Sequence, residues 1–261
     1  MDLQLAGKQA LVWGGSKGMG YACALRLAQE GVEVTLAART ESTLAAAAAA
    51  IDLACGRAGA ARYAAADIRT PAGRAAALAV CPHPDILVNN ADGPRVNDMN
   101  DLTRDDWLAA FDAMALGPIE MIKATVDGML ARGFGRIVNI TSRSVKIPQH
   151  ELGLSNGARS VLVGFTAGVA RKTVRDNVTI NNILPGIFAT DAQRNHVQGL
   201  VEQTGRPYAE IWAECERGNP AGRYGDPDEV GALCAFICGA QAGFMTGQSF
   251  LIDGGSYPGT F

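Results

Sequence analysis

Short runs of apolar and β-branched residues alternate with longer stretches of helical periodicity along nearly the whole chain. Residues 9–13 (QALVW) form the first such run and end in glycines, after which 21–29 read as a helix. A strand at 33–37 and a helix at 41–53 extend this into a βαβ start. The alternation continues with strand 61–65, helix 71–80, strand 86–89, a long helix over 105–131 and strand 136–140. Helix 154–174, strand 178–183, helix 227–237 and strand 249–252 complete it. Seven strands separated by helices predict an α/β fold, a single Rossmann-type doubly wound domain with a seven-stranded parallel sheet. No linker-like stretch divides residues 1–261, and the alanine run 45–50 fits inside the second helix because alanine is the strongest helix former. Residues 188–222 fit the rhythm least, being polar and containing Pro207 and Pro220. An insertion at the carboxyl end of a strand covers the ligand crevice, so a substrate lid is expected there; a surface for subunit packing is the other reading.

Composition narrows the class. Hydrophobic residues make up 48% and charged residues 19%, and 31 glycines follow no collagen-like period. The apolar runs are too short and interrupted to predict a membrane span. With 23 basic and 26 acidic residues the net charge is −3, so no general basic field exists to hold nucleic acid or anionic lipid. The start Met1-Asp2-Leu3-Gln4 carries an acid where a signal peptide carries bases, which points to a cytoplasmic protein. The six cysteines, at 23, 55, 81, 215, 234 and 238, form no CxxC pair, and no histidine lies near Cys234 and Cys238. Buried free thiols and no metal site are expected.

The strongest chemical signal directly follows the first strand. Gly14, Gly15, Ser16, Lys17, Gly18, Met19 and Gly20 lead straight into a helix. Glycines there permit a tight turn and close approach of a pyrophosphate, whose charge meets the unpaired N–H groups of the helix N-terminus. An NAD site would add a carboxylate at the end of the second strand, about 20 residues further on, for the ribose 2′-hydroxyl. Here that strand ends Leu36-Ala37-Ala38-Arg39-Thr40, without an acid. A guanidinium at Arg39 suits a 2′-phosphate, and Lys17 adds a second positive charge, so NADP(H) is favoured over NAD(H).

With these features the chain resembles the short-chain dehydrogenase/reductase family, in the form of the 3-oxoacyl-carrier-protein reductases. The resemblance spans essentially the whole length and rests on motifs in order. They are Gly14, Gly18 and Gly20; Asp67-Ile68, similar to the family's adenine contact; Asn89-Asn90-Ala91; Gly135 to Asn139 leading to Ser142; Pro185-Gly186-Ile187 with Thr190; and Gly222 to Pro227 through Gly247 to Gly255. The resemblance implies hydride transfer between a nicotinamide and a small-molecule carbonyl or alcohol, and assembly as a homotetramer. It also implies a serine that polarises the carbonyl, a tyrosine acid, a lysine that lowers the tyrosine pKa and binds ribose, and an asparagine that holds a relay water.

Carried over one position at a time, only the serine is kept. Ser142 matches it, but Ser155 stands at the tyrosine position, Arg159 at the lysine position and Met114, seven residues after Trp107, at the asparagine position. The helix around Arg159 follows the family pattern without a gap, and no tyrosine occurs between Tyr63 and Tyr208. Trp13 and Asp92 are further departures, at positions where the family has threonine and glycine. Halohydrin dehalogenases, which also carry arginine at the lysine position, keep the tyrosine and lose the glycine loop, the reverse of this chain.

A phenol of pKa about 10 can be tuned towards neutrality by a neighbouring cation, whereas an aliphatic hydroxyl cannot be moved nearly so far. Arg159 keeps a charge for ribose hydroxyls and a developing oxyanion but gives up no proton, and Met114 offers no hydrogen bond to a relay water. His150 and Glu151, between Ser142 and Ser155, and Tyr208 in the lid are candidate replacement acids, each with a plainer reading as a surface or interface side chain. Two functions fit: an NADP(H)-dependent oxidoreductase with Ser142, Ser155 and Arg159 at its centre, or a cofactor-binding subunit paired with an active relative.

Overall fold

The computed structural model describes residues 1–93 and 99–260. Its strands are β1 (Gln9–Trp13), β2 (Glu33–Ala38), β3 (Ala61–Ala65), β4 (Ile86–Asn90), β5 (Gly135–Ile140), β6 (Val178–Pro185) and β7 (Ser249–Ile252). They pair in parallel in the order β3-β2-β1-β4-β5-β6-β7. The helices are α1 (Gly18–Gln29), α2 (Glu41–Cys55), α3 (Pro71–Val80), α4 (Arg104–Phe111), α5 (Gly117–Arg132), α6 (Gly153–Thr173), α7 (Asp191–Thr204), α8 (Tyr208–Gly218) and α9 (Pro227–Cys238).

An all-parallel sheet must be covered on both faces, and side chains alternate along each strand to serve both. Val12, Leu36, Val88 and Ile183 face α1, α2 and α9 through Leu27, Ile51 and Val230. Leu11, Leu87, Ile137 and Ile180 face α3, α5 and α6 through Ala77, Met121 and Leu162. The strand order reverses between β1 and β4, the switch point at which a doubly wound sheet opens a crevice for ligands.

One polar row crosses the second face near the strands' carboxyl ends. Asn89 Nδ2 donates to Asn139 Oδ1 (2.9 Å), and Asn139 Nδ2 donates to Asn182 Oδ1 (3.0 Å). Asn182 Oδ1 also accepts from Thr166 Oγ1 of α6 (3.3 Å). All four residues are buried.

The structure departs from the sequence reading in four places. The long helix of 105–131 is two helices joined by a wider π turn, Asp112–Leu116, in which the Gly117 N–H donates to Asp112 O five residues back. Pro118 has no N–H to offer the preceding turn, and the backbone register shifts around it. Residues 188–222 are largely helical, holding α7 and α8. Each buries only one residue, Val197 and Ile211, although Tyr208, Ile211, Trp212 and Cys215 of α8 stand at i, i+3, i+4 and i+7 on one face. Helix α1 begins at Gly18, inside the glycine loop. Cys55 and Cys215 are half-buried; the other four thiols are buried as expected. Among the described residues no helix is long and apolar enough to cross a membrane.

Candidate active site

The loop after β1 is shaped for close approach. Gly14 has φ +60°, a left-handed conformation that glycine adopts freely, and its N–H donates to Ala37 O (2.8 Å). A Cβ on Gly20 would lie 2.2 Å from Gly14 O and 2.8 Å from Asn90 Nδ2. The loop therefore folds back on the first turn of α1 with no room for a side chain between. Asn90 fixes it from β4, its side-chain amide donating to Gly14 O (3.3 Å).

Helix α1 starts without a side-chain cap and without an acid in its first turn, whereas Thr70, Thr103, Thr190 and Asp226 cap α3, α4, α7 and α9. An uncapped start beside a glycine cradle leaves positive partial charge available to an anion. Ser16 is half-buried and Lys17 exposed at this start, and Met19 packs into the core below. Lys17 Nζ lies 3.7 Å from Asp191 Oδ2, and Arg39 Nη2 lies 3.3 Å from Asp92 Oδ2, all four side chains mostly exposed. The end of β2 carries no acid of its own, yet Asp92 reaches it from the loop after β4. Exposed pairs like these contribute about 0–1 kcal/mol, little enough for a phosphate to displace the carboxylate. The glycine cradle, the open helix start and the two cations fit a dinucleotide carrying an extra phosphate.

Asp67 and Ile68 follow β3. Arg69 clasps the Asp67 carboxylate through Nε (3.0 Å to each oxygen) and Nη2 (2.6 Å), which holds its pKa below the ordinary carboxylate value. Ile68 is buried. On the far side Pro185 ends β6, the Gly186 N–H donates to Ile252 O (2.8 Å), and Ile187 O accepts from Gly225 N (3.0 Å). Thr190 caps α7, its Oγ1 accepting from Gln193 N (3.3 Å). A Cβ on Gly18 would sit 3.5 Å from the Thr190 methyl, so the start of α7 lies directly against the glycine loop.

At the departing positions Ser155 and Arg159 meet, one turn apart on α6. Arg159 donates from Nε to Ser155 Oγ (3.2 Å), from Nη1 to Ile140 O (3.0 Å) and from Nη2 to Ala91 O (3.1 Å). The guanidinium thus ties together the carboxyl ends of β4 and β5. It is buried, and among the described residues it has no carboxylate within salt-bridge distance. Burial pushes its pKa down to about 10, with Asp92 pulling the other way, so it stays charged at neutral pH. Ser142, just past β5, instead accepts from Ser144 N within its own turn (3.1 Å).

Met114 sits on the π turn and is buried against Ala110, Leu154 and Ala158. His150 Nδ1 lies 2.9 Å from Glu151 Oε2, and Tyr208 stacks on Trp212, which stacks on Tyr224 (centroids 5.8 and 4.1 Å).

Sequence reasoning passed over His196 on α7. It is half-buried, and burial lowers its pKa; Glu151 raises it and Arg143 lowers it. A histidine of α7 thereby shares its electrostatic surroundings with the segment between Ser142 and Ser155. Only the tertiary placement of α7 reveals this, because 188–222 carries no catalytic motif.

The chain resembles known reductases over nearly its full length. The family model described as enoyl-(acyl carrier protein) reductase matches residues 14–257. The acetoacetyl-CoA reductase of Cupriavidus necator is 34% identical over 177 residues, 67% of each chain. The 3-oxoacyl-acyl-carrier-protein reductase of Vibrio cholerae is 31% identical over 261 residues, covering 98% of this chain and 99% of that one. The structure of L-sorbose reductase from Gluconobacter frateurii, complexed with NADPH and L-sorbose, superposes with a TM-score of 0.92 at 26% identity, covering 100% of both chains. Fold, glycine loop and full-length similarity agree, and the chain belongs to the short-chain dehydrogenase/reductase family.

Proposed function

We propose that this chain is an NADP(H)-dependent ketoreductase that interconverts a ketone and a secondary alcohol, with its proton-transfer groups rearranged. Residues 1–261 form one functional domain, and 188–222 act as the substrate lid. One observation carries the reading: a buried, charged guanidinium at the carboxyl ends of β4 and β5, bonded to Ser155 and to two carbonyls. A cation held there in a low-dielectric setting stabilises negative charge as it develops on a carbonyl oxygen. NADP(H), named in the L-sorbose reductase complex, supplies the hydride when bound.

Gly14, Ser16, Lys17, Gly18, Met19 and Gly20 cradle its phosphates. Arg39 takes the 2′-phosphate, Asp67 and Ile68 flank the adenine, and Asn90 and Ala91 line the crevice with Pro185, Gly186, Ile187 and Thr190. Arg159 reaches the ribose, and Ser142 and Ser155 orient the substrate carbonyl. Leu108, Leu116 and Val161 lie exposed on α4, the π turn and α6 and offer apolar surface for a homotetramer, which light scattering measures.

Fluorescence titration with NADPH and NADH, followed by turnover with acetoacetyl-CoA, a 3-oxoacyl thioester and L-sorbose, tests the whole reading. NADPH oxidation by homogeneous protein supports it. Tight NADPH binding with no turnover until an active relative is added favours the second reading, a cofactor-binding partner subunit, which the serine, arginine and methionine substitutions motivate. The Arg39→Ala variant is expected to weaken NADPH binding about 10- to 100-fold, the loss of a charge-assisted bidentate contact. NADH binding should change less than threefold, so a parallel titration that shows equal losses for both rejects the 2′-phosphate role.

A further inference from the structure

The carboxyl ends of β2, β1 and β4 are tied together by successive rungs. The Gly14 N–H donates to Ala37 O (2.8 Å) and Asn90 Nδ2 donates to Gly14 O (3.3 Å), so the loop after β1 is held from both neighbouring strands. The outermost rung is made of side chains. Arg39 Nη2, just past β2, donates to Asp92 Oδ2, two residues past β4 (3.3 Å). Strand β1 stands between β2 and β4, so this pair joins strands whose axes lie about 10 Å apart. It crosses over the glycine loop, at the place where the 2′ end of a dinucleotide held by Arg39 must come.

Among the acids around Arg39, Asp92 alone has bonding capacity to spare. Asp67 feels the Arg39 charge but is already occupied, accepting from the Arg69 backbone N–H, Nε and Nη2. Glu41, in the first turn of α2, makes no ion pair among the described residues. Asp92 makes a single contact through one oxygen, and its side chain is 84% exposed. Its stem is fixed nonetheless. Asn90 is bonded to Gly14, and Ala91 O accepts from Arg159 Nη2 (3.1 Å). A carboxylate accepts hydrogen bonds and repels anions, whereas a guanidinium only donates. The two groups that a ribose 2′ position can carry therefore choose different partners: a hydroxyl donates to Asp92, and a phosphate takes Arg39 and turns Asp92 away.

We propose that Asp92 is a cofactor-specificity residue, whose carboxylate accepts the 2′-hydroxyl of NAD(H) and competes with the 2′-phosphate of NADP(H) for Arg39, so that the site takes both cofactors. The proposal rests on the dinucleotide reading of the glycine loop given above. Asp92 supplies from β4 the acid that the end of β2 lacks. One bridge thus carries both recognition groups, and the entering nucleotide selects between them. Asp92 also lies in the field of Arg159, so binding, not rate, isolates its effect on cofactor choice.

Equilibrium titration with NADPH and with NADH, followed by nucleotide fluorescence, tests this. The wild type should bind both, with Kd values within about 30-fold of each other. Asp92→Ala should weaken NADH about 10-fold, the loss of a charge-assisted hydrogen bond, and tighten NADPH about 2- to 5-fold, the release of an exposed ion pair. Asp92→Asn keeps an acceptor without the charge; it should tighten NADPH equally and weaken NADH only about threefold. Glu41→Gln removes a charge from the same end of β2 without touching Arg39 and should move neither Kd by more than about twofold. Both side chains are exposed, so the fold survives each change. Opposite movement of the two Kd values in Asp92→Ala is the expected signature. Parallel movement, an unchanged ratio, an equal shift in Glu41→Gln, or a wild type that binds NADPH but not NADH overturns the role of Asp92. Failure to bind either nucleotide overturns the cofactor reading itself, and absence of turnover with every ketone overturns the ketoreductase reading, each through a different result.

Discussion

Replacing Arg159 with methionine should nearly abolish turnover while leaving the protein folded. Two opposing terms act on stability. The substitution strips Ile140 O and Ala91 O of their donors, at about 1–3 kcal/mol for each unsatisfied group. It also removes a cation that burial already disfavours, as the guanidinium pKa of about 10 shows, and replacing buried charge by an apolar side chain of similar volume is often neutral or stabilising. The terms offset, so Tm is expected to shift by only a few degrees. Nothing offsets the loss of positive charge at the site, and kcat should fall by about 10²- to 10³-fold, the usual effect of removing an oxyanion-stabilising donor. Arg159→Lys keeps the charge and should recover part of that rate. Melting curves beside steady-state kinetics decide the matter: equal kcat in wild type and Arg159→Met would remove the guanidinium from the mechanism.

Gly20→Ala is expected to destroy cofactor binding. The new methyl group would stand 2.2 Å from the Gly14 carbonyl oxygen and 2.8 Å from the Asn90 amide nitrogen, separations no folded protein tolerates. Backbone, not a flexible side-chain tip, blocks it, so the loop must open away from α1 and Asn90 must lose its bond to Gly14. An NADPH Kd raised at least about 100-fold, or some 2.7 kcal/mol, is the expected outcome. Thermal melting should still be cooperative, because the added atom meets the loop carbonyl and the Asn90 side chain at the very end of β4, and not the packed interior of the strands. An unchanged NADPH affinity in a fluorescence titration would show that the cofactor does not use this loop.

Much of the fold was legible because its cause is local. Val12, Leu36, Val88 and Ile183 sit in continuous apolar runs that only a sheet buried on both faces produces. Gly14, Gly18 and Gly20 stand directly after such a run, so the loop and its ligand class could be read together. Ser155 and Arg159 were found by position, but the bonds of Arg159 to Ile140 O and Ala91 O join residues 19 and 68 positions apart, which no local pattern reports. The π turn was hidden because alanine, leucine and methionine around it suit an ordinary helix equally well; its register change accompanies Pro118 and a tertiary fit. Helix α7 was hidden by polarity, since it buries little more than Val197, whereas the stripe Tyr208, Ile211, Trp212 and Cys215 of α8 has the i, i+3, i+4, i+7 spacing of a helix and was obscured only by the polar, proline-flanked segment around it. His196 was hidden with α7.

The asparagine row across β4, β5 and β6 bears on how the sheet finds its alignment during folding. Strands that are apolar on both sides carry little information about register, since sliding one by a residue exchanges one greasy face for another. Asn89, Asn139 and Asn182 remove that degeneracy. A one-residue slip of β5 would turn the Asn139 amide towards the opposite layer, where α1 and α9 present Leu27 and Val230, and would leave its neighbours' amides without partners. Misaligned pairings are penalised by several unmet hydrogen bonds at once. The row thus acts as an alignment key for the central strands, and it fixes the carboxyl edge from which Ser142, Asn90 and the carbonyls bound by Arg159 project.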